Sequence, residues 1–123
     1  MTTKTEGNYA GDVVLFEEDG RYSRKAVIIA AAADLTPGAV LGQITASKKY
    51  ILSAPGALDG SQTPVAVLVA DAAAAAADAV SVALVRHAKV RRAGLNYDAT
   101  INDATKRQAA VDALAAVGVI SDV

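Results

Sequence analysis

The densest group of side chains capable of chemistry in this sequence is a basic cluster of Arg86, His87, Lys89, Arg91 and Arg92. If the segment is a strand, alternate residues share a face, so His87, Lys89 and Arg91 lie in line and could hold a phosphate or a carboxylate. His87 could also act as a general base, but no serine, cysteine or aspartate stands at the spacing of a known catalytic motif. We therefore interpret Arg86, His87, Lys89 and Arg91 as a solvated strand face or a contact with another subunit.

Nucleic-acid binding is the alternative role for such a cluster. The chain has 12 Lys and Arg residues against 13 Asp and Glu residues, which gives a formal net charge of −1. It therefore has no general attraction for a polyanion. The cluster also lacks interleaved aromatic residues on which bases could stack. We predict no nucleic-acid partner.

No other pattern in the sequence indicates an enzyme, a metal site or a cofactor. The chain has no cysteine and one histidine, which excludes thiolate zinc sites, cysteine nucleophiles and sites with several histidines. Glu17, Glu18 and Asp19 are adjacent, but they lack the spacing of a calcium loop and are typical of a solvated turn. The glycines form no phosphate-binding loop. We expect a protein that is not an enzyme and needs no cofactor.

The elements that position the basic cluster lie in residues 59–90. Residues 64–70 form a nearly continuous apolar run, typical of a strand with both faces covered. Residues 79–85 alternate in character, so the two runs predict an antiparallel strand pair whose second strand continues into the cluster. Between them stand six alanines, residues 72–77. They predict either a single helical turn within a loop or an irregular low-complexity connection.

The other segments predict a mainly β domain with one C-terminal α-helix. A charged turn joins residues 13–16 to residues 25–29, which suggests a hairpin, and residues 40–45 and 49–52 are further short strands. Pro37 and Gly38 suit a type II turn. Residues 102–117 show helical spacing, with Asn102 or Asp103 as the N-cap and Gly118 beyond the C-terminus. We expect a single domain over residues 12–123.

Residues 1–11 form a polar segment with no periodicity, and we expect a flexible N-terminal arm. One interpretation is a frayed terminus. The other is an arm that orders on a partner, because its threonines and Tyr9 favour extended structure and could add a strand to a neighbouring sheet. The segment is not a secretory signal, and the longest apolar run, residues 26–33, is too short to cross a bilayer. We predict no membrane partner.

From residue 35 onward the sequence resembles the head decoration proteins of lambda-like tailed phages. The resemblance rests on five features in order: LTPG at residues 35–38, the Asp59-Gly60 loop before PVAVL, the Ala/Asp spacer, VALVRHA at 82–88, and LAAVGVI at 114–120. It implies a β-clip or β-tulip fold with short helical segments. It also implies a homotrimer on the outer capsid surface, at three-fold and quasi-three-fold positions. There it would cement the major capsid proteins against the pressure of packaged DNA.

The resemblance further implies that the N-terminal arm engages the capsid by strand addition. In this sequence the arm residues are Thr2, Thr3, Lys4, Thr5, Glu6, Gly7, Asn8 and Tyr9. The protein would be made in the host cytoplasm and function in the virion, with the major capsid protein and two further copies of itself as partners. Two alternatives remain open. One is a small β module of the phage tail or spike, and the other is a ligand-binding β-clip domain whose site would have to use residues 86–92.

Overall fold

The computed structural model of the chain describes residues 13–17 and 23–122, except for the side chains of Phe16 and Asp122. These residues form eight strands: β1 (Val14–Glu17), β2 (Arg24–Ile29), β3 (Val40–Gln43), β4 (Tyr50–Leu52), β5 (Pro64–Leu68), β6 (Ala79–Leu84), β7 (Ala88–Arg91) and β8 (Val119–Asp122). A 3-10 turn covers Arg92–Gly94, and helix α1 covers Ala104–Ala116. The prediction of a mainly β protein with one C-terminal helix is confirmed. The predicted arm, residues 1–11, lies outside the described residues.

Five of the strands close into a barrel in the order β2-β4-β3-β5-β6. Strands β5 and β6 are antiparallel, with Val67 opposite Leu84, as the sequence predicts. Side chains that alternate along the strands form one apolar cluster, consistent with the interior of the barrel. Its buried members are Val27, Ile29, Ala39, Leu41, Tyr50, Ala66, Leu68, Ala72, Ala74 and Ala83.

A second layer covers the opposite faces of β3, β5 and β6. It consists of a three-stranded sheet, in the order β1-β7-β8, and helix α1. The cluster between the layers contains Val13, Val40, Val67, Val69, Leu84, Ala88, Val90, Leu95, Leu114 and Val119. Neighbouring residues of β5 enter different clusters. Ala66 and Leu68 belong to the barrel cluster, and Val67 belongs to the cluster between the layers. The continuous apolar run in β5 thus reflects burial on both faces, as predicted.

The ends of helix α1 follow the sequence signals. The Asp103 side chain accepts a hydrogen bond from the backbone N–H of Lys106 at 2.8 Å, so Asp103 is the N-cap. Gly118 has a φ of 91°, the left-handed conformation that ends many helices. Strand β8 begins immediately afterwards and runs parallel to β7. The predicted apolar tail after the helix therefore completes the second sheet.

The predicted hairpin of the first two strands is wrong. Strand β1 pairs antiparallel with β7, and β2 pairs antiparallel with β6 over six residue pairs. The reason lies in the two clusters. Val13, immediately before β1, belongs to the cluster between the layers, whereas Val27 and Ile29 of β2 belong to the barrel cluster. The two strands therefore serve different layers and cannot lie side by side.

The predicted helical turn at the alanine run is also wrong, because residues 72–77 contain no helix. Ala72 instead forms an isolated bridge with Leu35, in which each N–H donates to the other carbonyl at 2.9 Å. Ala72 and Ala74 are both buried in the barrel cluster. Six alanines are too few to sustain a helix alone, and the extended path lets two of them fill the barrel.

Candidate interaction surfaces

The basic cluster does not form a single face. Strand β6 ends at Leu84 and β7 begins at Ala88, and between them His87 has a φ of 47°. The prediction that His87, Lys89 and Arg91 lie in line on one strand is therefore wrong for His87, which lies in the connecting turn. The His87 carbonyl accepts a hydrogen bond from the Ser23 hydroxyl at 2.9 Å, which ties this turn to the start of β2. Lys89 and Arg91 do share the exposed face of β7.

The two remaining arginines of the basic cluster, Arg86 and Arg92, influence two different tyrosines. Burial raises the pKa of the Tyr50 phenol, and the positive charge of Arg86 opposes that rise. Burial likewise raises the pKa of the Tyr97 phenol, and Arg92 opposes it. Arg92 also donates a hydrogen bond to the Ser121 hydroxyl on β8 at 3.2 Å. Arg86 and Arg92 thus act on different tyrosines, and the basic cluster is divided among the turn before β7, the exposed face of β7 and the 3-10 turn.

The outer face of the three-stranded sheet mixes apolar and basic side chains. Lys89 on β7 is in register with Ile120 on the neighbouring β8, and Ile120 is 55% exposed. Leu15 on β1 is 43% exposed. Such a face, with exposed aliphatic groups beside cations, is suited to contact with another protein.

The predicted arm leads directly into this sheet. Val13, the first described residue, is fully buried between the layers, and Val14 pairs with Val90 of β7. Among the described residues β1 pairs with no strand except β7, so it is an edge strand. The first described residues therefore enter the three-stranded sheet at its edge, and the predicted arm itself lies outside the described residues.

A shallow groove of about 210 Å³ lies between helix α1 and the loop before β5. Its lining combines small or apolar residues, such as Ala109, Ala113 and Ile101, with the polar side chains of Gln62 and Lys106. The described residues include no group of three or more His, Asp or Glu side chains that could hold a metal ion. In the same part of the chain, no helix is long and apolar enough to cross a membrane.

The outer face of the β2–β6 strand pair was missed by the sequence analysis. Val80 on β6 is 75% exposed and lies opposite Ile28 on β2, which is 46% exposed. The alternation in β6 was visible in the sequence. However, alternation alone does not say which face is covered, since both faces of this strand carry aliphatic residues.

The barrel, the added sheet and the exposed apolar side chains define a small, mainly β protein. A family model described as bacteriophage lambda head decoration protein D matches residues 3–119, and the chain belongs to that family. This confirms the resemblance inferred from the sequence and places the protein among the structural components of the phage head, in association with the capsid. No curated protein matches the chain.

Proposed function

We propose that the protein is a capsid cement protein. It binds as a homotrimer to the major capsid protein at the three-fold and quasi-three-fold sites on the outside of the mature head. There it stabilises the shell against the pressure of the packaged DNA. The observation that carries this proposal is the family match over residues 3–119, which spans nearly the whole chain.

The arm residues Thr2 to Tyr9 bind the capsid by adding a strand to a sheet of the major capsid protein. Two observations support this role. The family match begins at residue 3 and so includes the arm from Thr3 onward. The arm also leads into Val13, which is fully buried, and then into the edge strand β1. A segment anchored in this way can reach an external partner while the folded domain stays intact.

The energetics favour three arms acting together. Ordering a backbone residue costs roughly 1–2 kcal/mol, whereas a new backbone hydrogen bond contributes only about 1 kcal/mol net. One arm of eight residues is therefore a weak ligand by itself. In a trimer the second and third arms bind intramolecularly, at a high effective concentration. A mature three-fold site, which presents three capsid partners in register, is thus recognised far more tightly than an isolated capsid subunit.

Lys89 and Arg91 supply a second contact, either with the capsid or with a neighbouring subunit, from the exposed face of the three-stranded sheet. Arg86 and His87, in the turn between β6 and β7, are a further candidate contact beside it in the chain. Replacing His87 and Arg91 by alanine tests this role. Unchanged head binding and unchanged association would remove the basic residues from the interface.

The decisive experiment incubates the purified protein with expanded, undecorated heads and measures bound protein by co-sedimentation. Three forms are compared: the full chain, a deletion of residues 1–8, and a chain in which residues 2–9 are replaced by Gly and Ser at constant length. The last form separates the sequence of the arm from its length. Circular dichroism and thermal melting show whether each form retains its fold.

We expect both altered forms to fold and to lose head binding. Unchanged binding of the deletion would remove the arm from the mechanism. Image reconstruction of decorated particles tests the proposed location. Density at the three-fold and quasi-three-fold sites of the shell is the expected result, whereas density on the tail would refute capsid cementing and support a tail module.

A further inference from the structure

A cationic pocket of about 270 Å³ lies where the chain that follows β7 meets the first turns of helix α1. Two arginines from different elements line it together with a tyrosine, a glutamine and apolar residues. The lining residues are Arg92, Tyr97, Ala104, Arg107, Gln108 and Val111. Of these, Arg92 alone belongs to the basic cluster described above.

The polar side chains of the cationic pocket are held by packed elements of the domain. Arg92 begins the 3-10 turn, and its Nε–H donates to the Ser121 hydroxyl of β8 at 3.2 Å, which leaves its two terminal nitrogens as further donors. Tyr97 packs against the cluster between the layers. Arg107 lies in the first turn of helix α1, where its backbone N–H donates to the Asp103 carbonyl at 3.1 Å. The donors of the pocket are therefore fixed relative to one another.

Both guanidinium groups act on one phenol. Burial raises the pKa of Tyr97, and the charges of Arg92 and Arg107 each oppose that rise. In the part of the chain that the structure describes, neither arginine pairs with a carboxylate, and the Tyr97 hydroxyl has no hydrogen-bond partner. Two positive charges on either side of such a hydroxyl repel each other, and an anion placed between them would remove the repulsion.

Acidic side chains around the cationic pocket favour an anion with a single charge. Asp98 follows Tyr97 in the chain, Asp103 caps helix α1, and Asp112 accepts a hydrogen bond from the Gln108 side chain at 2.9 Å. These carboxylates would repel a phosphate group, which carries up to two negative charges, or the backbone of a nucleic acid. A carboxylate has one charge, and its two oxygens match the forked donors of a guanidinium group.

The apolar part of the lining suits a carboxylate carried on an aliphatic stem. Val111 is buried and lines the pocket beside the ring of Tyr97. The methylene groups of a glutamate can pack on these two residues while its carboxylate meets the arginines. Tyrosine and arginine are also residue types that often dominate the binding energy of protein interfaces. The expected ligand is therefore an acidic side chain of another protein.

The cationic pocket lies at the end of the three-stranded sheet where the chain enters that sheet. Val14 pairs with Val90 of β7, and Val90 pairs with Ser121 of β8, whose hydroxyl accepts the hydrogen bond from Arg92. The predicted arm precedes Val14 in the sequence, so a capsid protein bound by the arm would lie at this end of the domain. The same partner could then reach the pocket. This continuity favours the capsid protein over a second copy of the chain.

We propose that the cationic pocket binds an acidic side chain of the major capsid protein, with Arg92 and Arg107 contacting its carboxylate and the Tyr97 hydroxyl as a further donor. This inference rests on the proposed function. It adds the chemistry of a contact that neither the arm nor the exposed face of β7 provides.

The first test removes the donors one at a time and measures binding to undecorated heads by co-sedimentation. Arg107→Gln removes one charge from an exposed helix residue, and we expect it to weaken binding about tenfold. Tyr97→Phe removes the hydroxyl and keeps the packed ring, and we expect a smaller loss of about threefold. The matched control is Lys106→Gln, which removes the same charge from the next residue. Lys106 lines the other groove along this helix, so we expect little change. Thermal melting checks that each variant is folded.

Cross-linking on decorated heads identifies the partner group. Arg107→Lys keeps the positive charge and supplies an amine, which a carbodiimide joins to an adjacent carboxylate as an amide. We expect mass spectrometry to find residue 107 joined to an Asp or Glu of the major capsid protein. Lys49 and Asp78 already form an ion pair, so their cross-link is the internal control. If the control link forms and residue 107 is joined only to a second copy of this chain, or to nothing in the capsid protein, the inference is overturned.

A measurement without heads lets this inference and the proposed function fail separately. NMR follows the side-chain N–H signals of Arg92 and Arg107 while acetate or inorganic phosphate is added at constant ionic strength. We expect acetate to shift both signals and Arg107→Gln to abolish the shift of Arg92. A response to phosphate alone, or to neither anion, would overturn the carboxylate site.

The head-binding results then separate the two proposals. If the original chain and Arg107→Gln bind heads equally well, the inference is overturned and capsid cementing stays intact. If the original chain does not bind heads at all, the proposed function is refuted, and the response to acetate still decides whether the pocket is a carboxylate site.

Discussion

Leu114 is the residue of helix α1 that enters the cluster between the layers. Its side chain is fully buried, in the cluster that also holds Val90 of β7, Val119 of β8 and Leu84 of the barrel. Replacing it by alanine removes apolar contacts with both layers and leaves a cavity. We predict that Leu114→Ala is among the most destabilising single substitutions that leave the backbone unchanged.

The expected magnitude follows from the burial. A leucine-to-alanine change at a fully buried site lowers the free energy of unfolding by about 2–5 kcal/mol. For a chain of 123 residues, an unfolding entropy of about 2.1 cal/mol/K per residue gives a shift of roughly 4 °C for each kcal/mol. The melting temperature should therefore fall by about 8–20 °C.

The assay is urea or thermal unfolding followed by circular dichroism at one fixed protein concentration, because association contributes to the apparent stability. Leu58→Ala is the matched control, since Leu58 is 98% exposed. Its effect on the free energy of unfolding should stay within about 0.5 kcal/mol. A loss below about 1 kcal/mol in Leu114→Ala would refute the reasoning. It would mean either that the site collapses around the cavity or that the helix does not depend on this contact.

Two further predictions concern polar groups at the surface. Asp103→Ala removes the cap of helix α1 and should cost about 1 kcal/mol of unfolding free energy, whereas Asp103→Asn should keep most of it. Urea unfolding checks this, and equal midpoints for all three proteins would contradict it. The second prediction concerns pH. The Lys49 ammonium donates to the Asp78 carboxylate and, with a backbone N–H, lowers the pKa of Asp78. A group whose pKa is lower in the folded state stabilises above its unfolded pKa, and this stabilisation is lost as the pH falls through the folded pKa. Asp78→Asn should therefore be less stable than the original chain at neutral pH, and the difference should close as the pH falls below about 4, from the ordinary Asp pKa toward the lowered pKa of the folded state. A gap in urea midpoints that stays constant with pH would count against this ion pair.

The features that could be predicted from the sequence are those set by local rules. Helix α1 has its cap at Asp103 and its terminating glycine at Gly118, and both follow from the backbone groups left unpaired at a helix end. The β5–β6 pair follows from apolar patterns that are close in the chain. These elements can be predicted without information on the rest of the fold.

The features that could not be predicted depend on partners distant in sequence. Strand β1 pairs with β7 because of the apolar cluster to which its side chains belong. The amino-acid sequence of β1 alone is compatible with pairing to β2 or to β7. The alanines of residues 72–77 follow the same logic, because alanine is compatible with helix, strand and loop. Their path is set by the barrel cluster, in which Ala72 and Ala74 are buried. The exposure of Val80 likewise depends on where the second layer ends.

The position of strand β5 between the two clusters affects how the domain unfolds. Its side chains belong to both apolar clusters, so β5 separates the barrel cluster from the cluster between the layers. Removing the barrel would expose one side of β5, and removing the sheet and helix would expose the other. We therefore expect the two clusters to be disrupted together, so that the domain unfolds as one cooperative unit. A load applied to the outer sheet is consequently resisted by the whole domain.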